Sequence, residues 1–400
     1  MERHMVSFPS IHWQARAPLG ENAQQSLLIS ALRGLAALQV AAAHLRAEIY
    51  PGLRTLEEPS LAYIGLAFIT GFAHQAVVVF FLISGWLVGG SLMNRFGKPH
   101  AVAHYAIDRF TRLWTVLVPT LLLTLAIGLL VGAAAPGPVD VDPANPFSAS
   151  SLAGNLFGLQ TVTVPEFGGN YPLWSLAHET WYYIQFPLLL LVIAGGGVLR
   201  RAAAAAALIL LLATLRDMIS LYFAVWLLGA AFSRIRIDCG KSWQALLLVL
   251  TLALFVYYRL RGTNDDLVPG SFVQDIICSI PFLLLLASFQ QGVNARAPAY
   301  VRANRIAVFF SEFSFSLYVL HVPVIALMRY LRREYLGRER LDPNAPMDFL
   351  WYVAMLGAVV LAGYVFYLLF ERHTIRLRNA LKNWLLAPRA KPVRVALSPD

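Results

Sequence analysis

Charge is what this sequence has least of. Only 14% of its 400 residues are Asp, Glu, Lys or Arg, where a soluble domain carries about a quarter. That is too little to cover a globular surface facing water on all sides. Acids are scarcer than bases, 22 against 32, which leaves a net charge of +10. Cysteine is nearly missing. Cys239 and Cys278 lie far apart in or near apolar stretches, which excludes a disulfide framework or a zinc spacing. They read as small packing residues, and no metal is expected. The chain also lacks a convincing internal repeat and a separate soluble domain. A short basic leader is missing too, because a long polar stretch containing Pro and Glu precedes the first apolar run. A cleaved signal peptide is therefore not expected.

What is present is apolar: 58% of the residues are hydrophobic. They fall into blocks, and a block of ~20 apolar residues suits a helix crossing a ~30 Å hydrocarbon core. Barrel strands would alternate with period two, and these blocks do not. The expected fold class is all-α, a polytopic integral membrane protein with about ten transmembrane helices. The spans read as 27–47, 72–93, 113–134, 176–196, 202–215, 218–233, 243–260, 272–290, 307–328 and 348–370. The fifth and sixth are short and are split only by Arg216 and Asp217. The organisation expected is a cytoplasmic segment 1–26, a membrane domain 27–371 and a basic cytoplasmic tail 372–400.

Lys and Arg collect in cytoplasmic loops. With the N-terminus inside, the inner segments hold Arg3, Arg95, Lys98, Arg109, Arg112, Arg200, Arg201, Arg234, Arg236 and Lys241, and the tail adds Arg389, Lys391 and Arg394. Both termini are then cytoplasmic. Arg329, Arg332, Arg333, Arg338 and Arg340 are the exception, since they fall outside. This placement explains the basic excess by topology and anionic lipid. No nucleic-acid module stands out, and membrane lipids are the expected surroundings. The Pro- and Gly-rich loop 135–175 is a candidate extracytoplasmic lid or groove.

Ionisable groups inside spans usually mark function. In "ALRGLAALQVAAAHLRAE" (31–48), Arg33 and His44 are eleven positions apart. In an α-helix that is about 16 Å of rise and a rotation about 20° past three full turns. Both side chains therefore share one face at two depths, and that face can line a polar path through the bilayer. The same spacing lets them reach opposite headgroup layers instead. In "NYPLWSLAHETWYYIQFP" (170–187), Glu179 sits near the start of the fourth span among Trp174, Trp181, Tyr182 and Tyr183. There a helix dipole stabilises an acid, although an interfacial aromatic belt reads the same way. In "SEFSFSLYVLHVPVIAL" (311–327), His321 lies two residues before Pro323. In "YAIDRFTRLW" (105–114), Arg109 and Arg112 share a face, and paired guanidinium forks suit phosphates.

Taken in order, these segments resemble the acyltransferase family 3 membrane proteins, which O-acylate bacterial polysaccharides, lipopolysaccharide sugars and some antibiotics. "LRGLAALQVAAAH" resembles the family's Arg-x10-His helix, and "VVVFFLISGWLVGGSL" its Phe-Phe-x-x-Ser-Gly helix. Arg109 and Arg112 fit its Arg-x-x-Arg. "LWSLAHETWYYIQFP" is similar to its Trp-Ser-Leu-x-x-Glu segment, and "FSFSLYVLHVPV" to its Ser-Tyr-Ser-Leu-Tyr-Leu-x-His-x-Pro segment with Phe315 in place of the first Tyr. "YLLFERHTIRLRNAL" (367–381) resembles its closing segment.

The resemblance implies acyl transfer from acyl-CoA, acetyl-CoA being the family's common donor, to a carbohydrate or glycolipid hydroxyl at the bacterial inner membrane. It implies His44, Glu179 and Arg33 as catalytic residues. Arg109, Arg112, Ser84 and Gly85 are expected to hold the coenzyme, with Ser84 and Gly85 letting its pantetheine arm pass. His321, Trp174, Tyr182 and Ser316 are expected to meet the acceptor. Glu179 would orient an imidazole or bind acceptor hydroxyls. A transporter of a glycan or glycolipid is the competing class, and an enzyme-free scaffold a third. Coenzyme A release separates the first reading from the other two.

Overall fold

The computed structural model describes residues 8–20, 23–135, 140–262, 267–290 and 296–386. Arg3 and the tail residues Arg389, Lys391 and Arg394 lie outside them. The described chain forms fifteen α-helices and two short strands. In order they are β1 (Ser10–Trp13), α1 (Ala23–Ile49), α2 (Leu61–Ile69), α3 (Ala73–Ser84), α4 (Gly90–Arg95), α5 (Ala101–Leu130), α6 (Ala149–Leu156), α7 (Trp174–Ala194) and α8 (Val198–Thr214). Then come α9 (Asp217–Phe232), β2 (Ile235–Asp238), α10 (Lys241–Arg261), α11 (Pro269–Ser288), α12 (Pro298–Glu312), α13 (Ser314–Leu336), α14 (Pro346–Leu369) and α15 (Thr374–Leu386). A π-helical turn, Gly85–Gly89, joins α3 to α4.

The chain is a polytopic helical membrane protein. Among the described residues, seven stretches are long and apolar enough to cross a bilayer: Ala23–Thr55, Leu61–Arg95, Ala101–Leu130, Lys241–Arg261, Pro269–Ser288, Ser314–Leu336 and Pro346–Leu386. Helices α7, α8 and α9 occupy the places of the fourth, fifth and sixth expected spans. Helix α7 has 21 residues but a polar first half, and α8 and α9 have only 17 and 16. They are separate helices, divided at Leu215 and Arg216.

Two expected spans are corrected. The third begins well before residue 113, so Arg109 and Arg112 sit inside α5. The ninth is interrupted at Phe313, where α12 ends and α13 begins, and α13 continues to Leu336. Arg329 pairs with Glu48 and Glu339, Arg338 lies 3.6 Å from Asp348, and Arg332 stacks over Trp351. These residues mostly extend a helix and meet acids, so they do not behave as a free basic loop.

The N-terminal segment is tied down. β1 pairs antiparallel with β2, from Ser10 opposite Asp238 to Trp13 opposite Ile235. Asn94 then exchanges two hydrogen bonds with the backbone of Ala17. Past the last span, α15 packs along α5. Asp108 anchors it by accepting from Lys382 at 2.5 Å and facing Arg378 at 3.3 Å. Cys239 and Cys278 are both buried, as packing residues are, and neither is in a disulfide among the described residues.

Lipid supplies no hydrophobic drive between helices, so small residues that let backbones approach dominate their contacts. Here they bring α3 and its π turn against α9. A Cβ on Gly85 would lie 1.9 Å from the Trp226 carbonyl oxygen, and one on Gly229 2.1 Å from that of Leu82. Overpacking of this kind costs about 1–3 kcal/mol. Gly85→Ala should lower the thermal unfolding midpoint in detergent. Gly65→Ala, where nothing lies within 4 Å, should leave it unchanged or raised. Equal effects of the two would contradict the close α3–α9 approach.

Candidate active site

Helices α1 and α13 pack side by side and run the same way, meeting through three polar rungs. The Arg33 Nη2 donates to Ser314 Oγ over a long 3.4 Å. His44 Nδ1 and His321 Nε2 are 2.8 Å apart. Glu48 pairs with Arg329. Arg33 and His44 share the α1 face that the eleven-residue spacing predicts.

The middle rung fixes the proton positions. His321 Nδ1 lies 3.2 Å from the Leu317 carbonyl oxygen. A carbonyl only accepts, so for neutral imidazoles Nδ1 of His321 carries the proton and its Nε2 is a lone pair. That lone pair must accept from His44, so His44 donates through Nδ1–H. Its Nε2 is left as a free base, with no hydrogen bond among the described residues. His321 is fully buried, while His44 keeps some accessible surface. Tyr171 stands edge-on to His44, ring centroids 4.9 Å apart.

Proline places that tyrosine. Pro323 has no N–H, so the carbonyl four residues back, that of Val319, loses its helical donor. Asn170 Nδ2 fills the gap at 2.9 Å. The loop before α7 is thereby pinned to α13 one residue from Tyr171. The loop is well built for this. Asn155 donates to the carbonyls of Ser151 and Pro165 and accepts from the Phe167 amide.

On the side of the N-terminus and α15 lies a cavity of about 650 Å³. Five arginines line it, Arg33, Arg109, Arg112, Arg372 and Arg378, against three acids, Glu179, Glu312 and Glu371. Arg112 is not free, because it donates to Glu371 Oε1 at 2.5 Å. Glu371 Oε2 also accepts from the Ser316 amide and hydroxyl at 3.0 and 2.6 Å. Arg109 lies over the rings of Tyr183 and Tyr105. Arg33 faces Glu371 and Glu179, with Arg112 among its neighbours. Tyr318 and Ser175 line the deep end, joined by a 2.7 Å hydrogen bond. The ring of Tyr318 is 6.0 Å from that of His321.

Arg33, Ser84, Arg109, Arg112 and Glu179 thus meet in one cavity, and His44 and His321 meet each other beyond Tyr318. Arg33 and His44 share one face of α1; Arg33 lines the cavity together with Phe80 and Tyr318, whose rings touch, and His44 is not among its lining residues. Four of the expected residues, Gly85, Tyr182, Ser316 and Trp174, lie off this cavity's lining. Gly85 serves the α3–α9 contact, with the Trp226 backbone carbonyl in the space beside it. Tyr182 is fully buried against Phe81, Phe223 and Trp226, and its neighbour Tyr183 lines the cavity instead. Ser316 is fully buried and spent on Glu371. Trp174 packs on His178 and Phe81, away from the cavity lining.

Glu179 also differs from expectation. Helix α7 starts at Trp174, so Glu179 is in its second turn, beyond the reach of a dipole effect that fades within the first. It faces Tyr183 and makes no hydrogen bond to either imidazole of the His44–His321 pair. Tyr171, Tyr318, Arg372, Arg378 and Glu371, which the sequence did not single out, join these groups in the structure. Only Pro323, by freeing a carbonyl, hinted that a loop docks here.

The family model described as an acyltransferase domain, acyltransferase 3, matches residues 28–376. No curated protein matches the chain, and no solved structure does.

The loop pin has a clear signature. Asn170→Ala should destabilise the protein by about 1–3 kcal/mol, the cost of a buried acceptor left unpaired. The loss should shrink in a Pro323→Ala background, where the helix itself satisfies Val319. A double-mutant cycle on thermal unfolding checks this, and additive effects would contradict it.

Proposed function

Because the chain belongs to the acyltransferase 3 family of membrane proteins, we propose that it moves an acyl group, acetyl in the simplest case, from acyl-CoA to a hydroxyl of a carbohydrate or glycolipid. The family match makes it a membrane acyltransferase of groups other than amino-acyl groups. The donor, the acceptor and the sidedness belong to the proposal. Both termini face the cytoplasm in it, and the membrane is the bacterial inner membrane.

Acyl-CoA enters the arginine-lined cavity from the cytoplasmic side, where coenzyme A is made. Its phosphates meet Arg109, Arg372 and Arg378, while Arg112 is held by Glu371. A cavity of about 650 Å³ falls within the ~300–1,000 Å³ range of ligand pockets. The thioester lies at the Tyr318 end, nearest the imidazole pair, and reaches it when Tyr318 turns aside. The acceptor comes from the opposite side. His44 Nε2 removes its hydroxyl proton as the oxygen attacks the thioester carbonyl. A C–O bond forms, the C–S bond breaks, and the proton passes from His44 to the departing thiolate. His321 holds the tautomer that leaves Nε2 free and takes up charge as His44 becomes imidazolium, as a partner to a general base must. Arg33, between the carboxylates of Glu371 and Glu179, holds the polar wall on the donor side.

The observation that carries this reading is the relay Leu317 O, His321, His44, which ends in an unpaired nitrogen. Acyl transfer in proteoliposomes tests it. His44→Ala should reduce coenzyme A release with acceptor by about 100- to 10,000-fold, the usual worth of a general base. Wild-type rates in that variant would remove His44 from catalysis. Arg109→Ala should raise the KM for acyl-CoA about 10- to 100-fold, as expected for loss of a charge-assisted hydrogen bond. An unchanged KM would contradict the phosphate assignment.

A further inference from the structure

The third rung between α1 and α13 lies beyond the imidazole pair, on the side away from the donor cavity. Glu48 is one helical turn past His44 on the same face, about 6 Å further along the axis. Arg329 is two turns past His321 on α13. It donates to Glu48 through Nη1 and to Glu339 through Nη2. Tyr171, edge-on to His44, has Glu48 and Arg329 as its charged neighbours. The side chains of Glu48 and Arg329 are 28% and 32% exposed. They are open enough to be touched, unlike the fully buried His321.

From this placement we propose that Glu48, Arg329 and Tyr171 form the subsite that selects the acceptor, one sugar ring seated beside the hydroxyl that reacts at His44. The proposal rests on the acyl-transfer reading above. Arg329 holds Glu48 through Oε2, which leaves Oε1 as a free acceptor for a ring hydroxyl. Glu339 holds the guanidinium from its other edge, so the fork is fixed in place. Tyr171 offers an apolar ring face beside these polar groups, the pairing that a sugar with one apolar face requires. The distance from His44 to Glu48 is about the width of one sugar ring. One hydroxyl can therefore reach the base while another reaches the carboxylate. A partly exposed ion pair contributes only about 0–1 kcal/mol to stability, so stability alone is a weak reason for these charges to lie next to a catalytic base.

The test uses the full-length protein in proteoliposomes with acetyl-CoA and two probes. Octyl glucoside carries one sugar ring, and n-octanol carries a lone hydroxyl. Wild-type protein should acetylate the glucoside more efficiently than octanol. Glu48→Gln and Tyr171→Ala should each raise the KM for the glucoside about tenfold or more, as for loss of a hydrogen bond to a charged group. The glucoside-to-octanol ratio should then collapse, with the KM for acetyl-CoA unchanged as the internal control. If Glu48→Gln does not fold, Tyr171→Ala carries the test, because its ring is outside the ion pair. Variants that keep the wild-type ratio, or wild-type protein indifferent to the ring, overturn the subsite alone. Wild-type protein that releases no coenzyme A with either probe overturns the acyl-transfer reading beneath it.

Discussion

A single hydrogen bond between two imidazoles, His44 to His321, organises this protein. In a helical bundle surrounded by lipid, water does not satisfy stray polar groups, so each must find a partner in the chain. His321 finds the Leu317 carbonyl with one nitrogen and His44 with the other. That leaves one nitrogen in the relay, Nε2 of His44, with no hydrogen bond among the described residues. Ala37 and Ala41 on α1 are fully buried in one cluster with Leu317 and Ile325 of α13. Pro323 frees the carbonyl by which Asn170 brings the α6–α7 loop to the pair.

The two sides of that relay differ in chemistry. Toward the N-terminus the cavity is broad and rich in arginine, and α15 closes part of its rim with Ile375 and Arg378. Toward the other side the groups are an ion pair and a tyrosine, suited to hydroxyls rather than phosphates. Tyr318, hydrogen-bonded to Ser175, stands between the two. In the proposed reaction the polyanionic donor takes the arginine-lined cavity, the polyhydroxyl acceptor takes the other side, and His44 is the base at their boundary. In that proposal, transfer across the boundary does not require coenzyme A to leave its own side.

Much of this was legible in the sequence. Blocks of apolar residues marked the membrane class, and the eleven-residue interval put Arg33 and His44 on one face. Ordered motifs pointed to the family, whose model matches residues 28–376. What could not be read were contacts between segments distant in sequence. Nothing local shows that Arg112 meets Glu371, 259 positions away, or that Ser316 supports that same carboxylate. Tyr182 and Tyr183 differ by one position, and only packing against α9 decides which of them is buried among aromatics and which lines the cavity. The break at Phe313 was hidden because α12 and α13 are both apolar enough near their junction to read as one span. The loop 135–175 was recognised as a candidate groove, but its contribution of Tyr171 depends on Asn170 meeting a carbonyl on α13.

The most direct test of the central claim is the tautomer of His44. Solid-state nitrogen-15 spectra of the histidine-labelled protein in lipid, with His44→Gln and His321→Gln used to assign the two residues among the nine histidines, report which ring nitrogen carries the proton. The account predicts that His44 is protonated at Nδ1 and bare at Nε2, with His321 likewise protonated at Nδ1. A proton on Nε2 of His44 at neutral pH would contradict it, because no base would then face the acceptor.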